Sequence, residues 1–352
     1  MKKFNFKLVS FLVVLLLMLV ACNKDSNSSG GNNNDNNKDE TIRVGYFVNS
    51  TLGDKSFFDS AKRGIDKAEA ELGIKSKTVE AGTNQADWAP GLESMVASKD
   101  YDVIVVGTSQ MVEIVSDLAA KYPDQKFIFF DDVVSDRDNV YSMTYSQSEG
   151  SFLAGAFAAL VTTSTELEGA NPEKVVGVIG GMDIPIINDF ISGYKQGAQY
   201  VDPEVEVISS YIGNFNDAPK AKELALSQIK SQKADIIFQV AAGAGMGVLE
   251  AANEAGVYSI GVDSNQNDIY PGSVLTSMLK NIDNSVYRAL EMLTKGTLKF
   301  GTQEQLGIKE GGIGLAQDDL YKQYVPQSIR DKIDEIQNKV ASGEITVDSI
   351  LD

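Results

Sequence analysis

Apolar residues along this chain fall into short runs rich in β-branched and aromatic side chains, separated by longer stretches whose apolar positions recur every three or four residues. Residues 42–48 predict a strand, and 55–72 a helix that puts Ala61, Ile65, Ala68 and Leu72 on one face. An unbroken apolar strand follows at 103–107, then a helix over 112–121 and a strand over 127–130. A second series repeats the alternation, with strands at 175–179, 205–211, 236–240 and 258–262 and helices at 187–200, 220–230 and 247–255. Strands that are apolar throughout are covered on both faces, as in a parallel sheet with helices on each side. Two doubly wound, Rossmann-like α/β lobes in tandem accommodate the series better than one very long sheet. After Pro271-Gly272 the chain returns through 273–279 and a helix over 284–295. The stretch 306–315, with four glycines, reads as another crossing between lobes, and a helix over 328–341 closes the body.

The two series can be laid over one another. Asp102-Val-Ile-Val-Val-Gly107 leads through a loop and helix to Phe127-Ile-Phe-Phe-Asp131, and Asp235-Ile-Ile-Phe-Gln-Val240 leads the same way to Ser259-Ile-Gly-Val-Asp263. One βαβ unit used twice explains the match. Open α/β sheets bind ligands beyond the carboxyl ends of their strands, which sets Asp131 and Asp263 at the border of a cleft where two lobes face each other. The alternative is that each Asp caps the turn after its strand.

The amino terminus has a different pattern. Lys2, Lys3 and Lys7 precede an apolar run over 8–21, too short for a comfortable membrane span, and the run ends in Leu19-Val20-Ala21-Cys22. Residues 1–21 thus read as a signal peptide, and the tetrapeptide resembles the bacterial lipobox, in which the cysteine is lipidated and becomes the first mature residue. The competing reading is an incidental Cys behind an uncleaved anchor. Residues 23–40 include no apolar side chain, so 22–40 is expected to be a flexible tether reaching at most roughly 60 Å.

Composition narrows the chemistry. The chain has 352 residues, no histidine and one cysteine, which excludes His-based triads, His-ligated metals, Cys clusters and an internal disulfide. Its net charge is −18, and cleavage before Cys22 would remove three lysines and no acids, giving −21. Such a surface argues against nucleic acid as partner, since that affinity rests on Lys and Arg displacing counterions.

Three segments now carry a family resemblance: Leu52-Gly-Asp-Lys-Ser-Phe-Phe-Asp-Ser60, Ser148-Glu-Gly-Ser-Phe-Leu-Ala-Gly-Ala-Phe-Ala-Ala-Leu160 and Gly180-Gly-Met-Asp-Ile-Pro-Ile-Ile-Asn-Asp-Phe-Ile-Ser-Gly-Tyr194. Together with Phe238-Gln-Val-Ala-Ala-Gly-Ala-Gly245, Gly261-Val-Asp-Ser264 and Thr276-Ser-Met-Leu-Lys280, they resemble the BMP (basic membrane protein) family of lipoproteins. The resemblance implies an ABC-importer substrate-binding protein of the periplasmic-binding-protein type I fold, lipid-anchored outside the cell membrane, handing a purine nucleoside to a membrane permease, with no cofactor. Phe57 and Phe215 would stack on the two faces of the base. Asp131 would accept base N–H groups, Asp263 the ribose hydroxyls, and Lys280 would donate to ribose oxygens while balancing Asp263. Backbone groups of Val240 and Ala242 would lie close to the ligand. Without the resemblance, either Phe could fold back onto its lobe and Lys280 could be a solvated surface charge.

The chain departs from the family at two places. Asn49 stands at or beside a position where nucleoside binders often have Asp, and Ala242 and Ala244 stand where Gly and Thr are usual. Asn has both a donor and an acceptor and so can read a different base edge. Trp88 either lines the cleft mouth or packs at a helix start. The expected division is 41–147 plus about 276–310 for the first lobe and 148–275 plus about 311–352 for the second. Rival readings are a receptor for a sugar or riboflavin, a sensor subunit, and a nucleoside-cleaving enzyme using the cleft carboxylates.

Overall fold

The structure, a computed structural model, describes residues 41–351; the expected signal peptide, Cys22 and the expected tether lie outside the described residues. The chain first lays down β1 (Arg43–Val48), α1 (Phe57–Leu72), β2 (Lys75–Glu80), α2 (Trp88–Ser98), β3 (Val103–Gly107), α3 (Val112–Lys121), β4 (Lys126–Phe130) and β5 (Val140–Tyr145). It then crosses into α4 (Gln147–Thr162), β6 (Val175–Gly180), α5 (Pro185–Val201), β7 (Glu206–Tyr211), α6 (Ala218–Gln232), β8 (Ile236–Val240), α7 (Met246–Ala255), β9 (Tyr258–Asp263) and β10 (Val274–Lys280). The return segment consists of α8 (Ile282–Thr294), β11 (Thr302–Leu306), β12 (Ile313–Leu315), α9 (Asp319–Tyr324) and α10 (Gln327–Ala341).

Two six-stranded sheets result, ordered β2-β1-β3-β4-β5-β11 and β7-β6-β8-β9-β10-β12. Both follow the flavodoxin-like order with a sixth strand added, so the duplication in the sequence is a duplication of topology. All pairings are parallel except β10 with β12, where Leu279 faces Gly314. The sixth strand of each lobe comes from the return segment, which binds the two lobes together through several crossings. Among the described residues no helix is long and apolar enough to cross a membrane.

One boundary has to move. The division at about residue 276 would send the 276–280 strand to the first lobe, but β10 pairs in parallel register with β9, Ser277 beside Gly261 and Met278 beside Val262. Its apolar face is needed in the second core, and the crossing comes after Lys280. Residues 306–315 are the end of β11, a six-residue crossing and β12. The strands β2 and β5 and the helices α2 and α4 have no counterpart among the predicted elements. β2 reads Lys-Ser-Lys-Thr-Val-Glu, an edge strand with no buried side chain, and so lacks an apolar signature. α4 buries 14 of its 16 residues, so it has no polar face to set a period. It lies so close to α5 that a Cβ on Gly155 would fall 1.9 Å from the carbonyl oxygen of Tyr194.

Candidate functional site

The carboxyl ends of the strands in both lobes meet around one cavity of about 170 Å³. That volume admits on the order of ten waters, roughly 300 Å³ of liquid, which is the range of small-ligand sites. All eight residues singled out in the sequence, Asn49, Phe57, Asp131, Phe215, Val240, Ala242, Asp263 and Lys280, line it. Asp131 lies just past β4 and Asp263 ends β9, matching places in the two copies of the βαβ unit.

The backbone around the cavity is strained. Of nine non-glycine residues with positive φ among those described, four line it: Thr108 (80°), Asp131 (79°), Ala242 (46°) and Asp263 (62°). Each follows or ends a strand of a doubly wound sheet. Asp tolerates this region, but Thr108 is β-branched and departs from ordinary backbone preference, the kind of strain that concentrates at functional sites.

Thr108 holds Asn49. Asn49 Nδ2 donates to Thr108 Oγ1 at 3.1 Å, and Asn49 Oδ1, in a residue only 4% exposed, has no hydrogen-bond partner among the described residues. A buried acceptor without a donor costs about 1–3 kcal/mol, and a ligand N–H would recover it. Phe57 begins α1 and packs on Phe130 at 5.3 Å between ring centroids. Phe215 is half-buried, and its ring occupies the space a side chain on Gly181 would need, since a Cβ there would lie 2.3 Å away. The two rings belong to opposite lobes.

Charges are shared across the lobes. Lys280 Nζ donates to Asp131 Oδ1 at 2.5 Å and lies 4.8 Å from the Phe190 ring centroid, 5.4 Å from that of Tyr145 and 5.9 Å from that of Phe57. Its direct partner is therefore Asp131 in the opposite lobe, and Asp263 feels it only at longer range. Asp263 instead accepts from Ser56 Oγ at 2.6 Å. Burial raises both carboxyls, Asp263 to about 6, while Lys280 works against the rise in each.

Two further expectations are refined. The Val240 carbonyl accepts the Gly181 N–H at 2.9 Å, so that group serves the β6–β8 ladder. Trp88 fills both of its alternative places: it starts α2, anchors Nε1 on the Gly82 carbonyl at 2.8 Å and lines the cavity. Sequence reasoning missed Thr108, Ser109 and Gln110 after β3 and Met182 and Phe190 around the start of α5. Extending the alignment of the two βαβ units past Gly107 and Val240 into the loops would have reached the first three. Among the described residues no group of three or more His, Cys, Asp or Glu side chains converges as metal ligands would.

Comparison with known proteins agrees with this architecture. The family described as ABC transporter substrate-binding protein PnrA-like matches residues 41–347. Basic membrane protein A2 of Borrelia garinii subsp. bavariensis is 30% identical over 315 residues, covering 87% of this chain and 88% of that protein. An uncharacterised lipoprotein of Pyrococcus horikoshii is 32% identical over 283 residues, covering 77% and 68% respectively. Among solved structures, an ABC transporter solute-binding protein from Aeropyrum pernix superposes with a TM-score of 0.80 at 27% identity, over 88% of this chain and 94% of that one. The Aeropyrum pernix neighbour is named a solute-binding protein, and the chain belongs to the family of PnrA-like ABC-transporter substrate-binding proteins.

Proposed function

We propose that the protein is a lipid-anchored receptor, attached through Cys22, that closes two lobes over a nucleoside, purine nucleosides first among them, and delivers it to an ABC permease. The observation that carries the reading is the composition of the cavity wall. Among the described residues it offers Phe57 and Phe215 from opposite lobes, three side chains rich in acceptors (Asn49, Asp131, Asp263), and a single cation, Lys280, already engaged by Asp131. Aromatic faces suit a base, at about 1–3 kcal/mol per stacked base. Acceptors suit base N–H groups and a diol. An anionic ligand would find no uncommitted cation in this wall, which favours the nucleoside over its phosphate.

Calorimetric titration of the full chain with inosine, guanosine, adenosine and their 5′-monophosphates tests the reading, with Trp88 fluorescence as a second signal. Nucleosides should bind and the monophosphates should not. Binding of arabinose or riboflavin with no response to nucleosides would overturn the ligand class. Free base accumulating in the mixture would overturn the receptor role.

A further inference from the structure

Ser56 occupies the capping position of α1 and does not cap it. Asp54 does that work, accepting from the N–H groups of Ser56 (3.0 Å), Phe58 (2.9 Å) and Asp59 (3.1 Å). Ser56 Oγ turns instead to the opposite lobe, where it lies 2.6 Å from Asp263 Oδ2 and 3.2 Å from the Val262 carbonyl oxygen. A hydroxyl has one proton, and the shorter contact, to a carboxylate, receives it. The same peptide is gripped twice more: Ser264 Oγ donates to the Ser56 carbonyl at 2.9 Å, and Gln266 Nε2 to the Lys55 carbonyl at 3.1 Å. Among the described residues Asp263 Oδ1 has no hydrogen-bond partner, and Asp263 lines the cavity.

We propose that Ser56 is a positioning residue that couples lobe closure to ligand capture, holding Asp263 Oδ2 across the cleft so that Oδ1 is aimed and available for a ligand diol. The inference rests on the reading of Asp263 as the acceptor of sugar hydroxyls. Closure alone brings the two residues together, because they belong to different lobes. The charged groups facing Asp263 are Lys280 on β10, Asp131 after β4 and Asp54 ahead of α1. Lys280 and the Ser56 hydrogen bond hold its pKa down, while burial and the two carboxylates push it up.

Carboxyl-carbon NMR titration of the full chain, both ligand-free and saturated with 2′,3′-dideoxyinosine, compares the wild type with Ser56→Ala and Ser56→Thr and reads the contact with no diol on Oδ1. Loss of the hydroxyl should move the Asp263 midpoint up by about one pH unit, and Thr should restore it. At pH 7, Ser56→Ala should weaken inosine about tenfold and leave 2′,3′-dideoxyinosine within about twofold, because only the diol uses Oδ1. An unchanged midpoint, or equal loss for both nucleosides, would overturn the proposal. If the wild type binds no nucleoside, the nucleoside reading fails, and the midpoint comparison alone decides the role of Ser56.

Discussion

Lys280 and Asp131 form an ion pair across the two lobes, with side chains 2% and 9% exposed and 2.5 Å between Nζ and Oδ1. A buried pair of this kind roughly breaks even against apolar residues, but removing one partner strands the other charge. Lys280→Met should therefore cost about 3–5 kcal/mol in chemical denaturation. The double variant Lys280→Met with Asp131→Leu should recover most of that loss. A loss below about 1 kcal/mol for the single variant would mean that water reaches the pair as it does at a surface.

Asn49 separates binding from stability. Its Oδ1 is already desolvated and unpartnered, so Asn49→Ala removes a penalty along with the Thr108 bond. Folding stability should change by about 1 kcal/mol or less, while nucleoside affinity should fall by the worth of a hydrogen bond to a buried acceptor, about five- to a hundredfold. Calorimetry and urea denaturation on the same variant check both halves. Equal affinity in variant and wild type would remove Asn49 from the ligand shell.

Gly181 and Phe215 make a packed pair in which the glycine leaves room for the ring. Gly181→Ala must displace the Phe215 ring, whose atoms lie 2.3 Å from the added carbon. Because Phe215 is half-exposed, the ring can swing without breaking the core, and the fold should persist. Stacking should be lost, weakening nucleoside binding about tenfold, as Phe215→Ala should. Gly181→Ala binding as tightly as the wild type would argue that Phe215 does not touch the base.

Ala242 has φ 46° and its neighbour Ala241 has φ −146°. The left-handed conformation costs an alanine roughly 1–2 kcal/mol, and glycine escapes that cost while losing about 0.5–1 kcal/mol in chain entropy. Ala242→Gly should thus be neutral or stabilising by up to about 1 kcal/mol, whereas Ala241→Gly, at a negative φ that alanine adopts freely and in a buried position, should destabilise by about that amount. Thermal midpoints of the two variants give the comparison. The same substitution also tests whether the extra methyl narrows the cavity, since it restores the residue usual in the family.

Much of this architecture was legible in the sequence because the buried strands are apolar throughout: 103–107 and 236–240 coincide with β3 and β8. The Asp131 and Asp263 match was legible because duplicated units repeat their strand ends. Pattern could not reveal what depends on the third dimension. Lys280 faces Asp131 only because β10 joins the second sheet, and the 276–280 segment has no signal of which sheet it joins. Thr108 escaped notice because its importance lies in a φ of 80°, which no side-chain type announces. Ser56 falls inside the helix predicted over 55–72 and nothing in its residue type singles it out, because its role depends on Asp54 taking over the capping of α1.

Asp102 and Asp235 occupy the same place in the duplicated units, ahead of β3 and β8, and should give stability opposite dependences on pH. Asp102 is half-exposed and bonded to Arg43, which holds its carboxyl below the usual range. Asp235 is fully buried, accepts from Thr162 Oγ1 at 2.9 Å and the Asn171 N–H at 2.7 Å, and is raised by desolvation to about 6. A depressed carboxyl contributes stability above its unfolded pKa and loses it as pH falls through the folded value. A raised one does the reverse: its contribution is complete below about pH 4 and disappears as pH rises through about 6. Asp235→Asn keeps an acceptor oxygen for Thr162 and Asn171 and cannot ionise. Relative to the wild type it should gain on the order of 2 kcal/mol between pH 4 and pH 8. Asp102→Asn should leave that interval nearly flat and lose its deficit only below about pH 4. Urea midpoints measured in steps of one pH unit distinguish the two. A constant difference between Asp235→Asn and wild type would show that Asp235 keeps an ordinary pKa, and with it that the second lobe is wetter at this end of β8 than at the cleft.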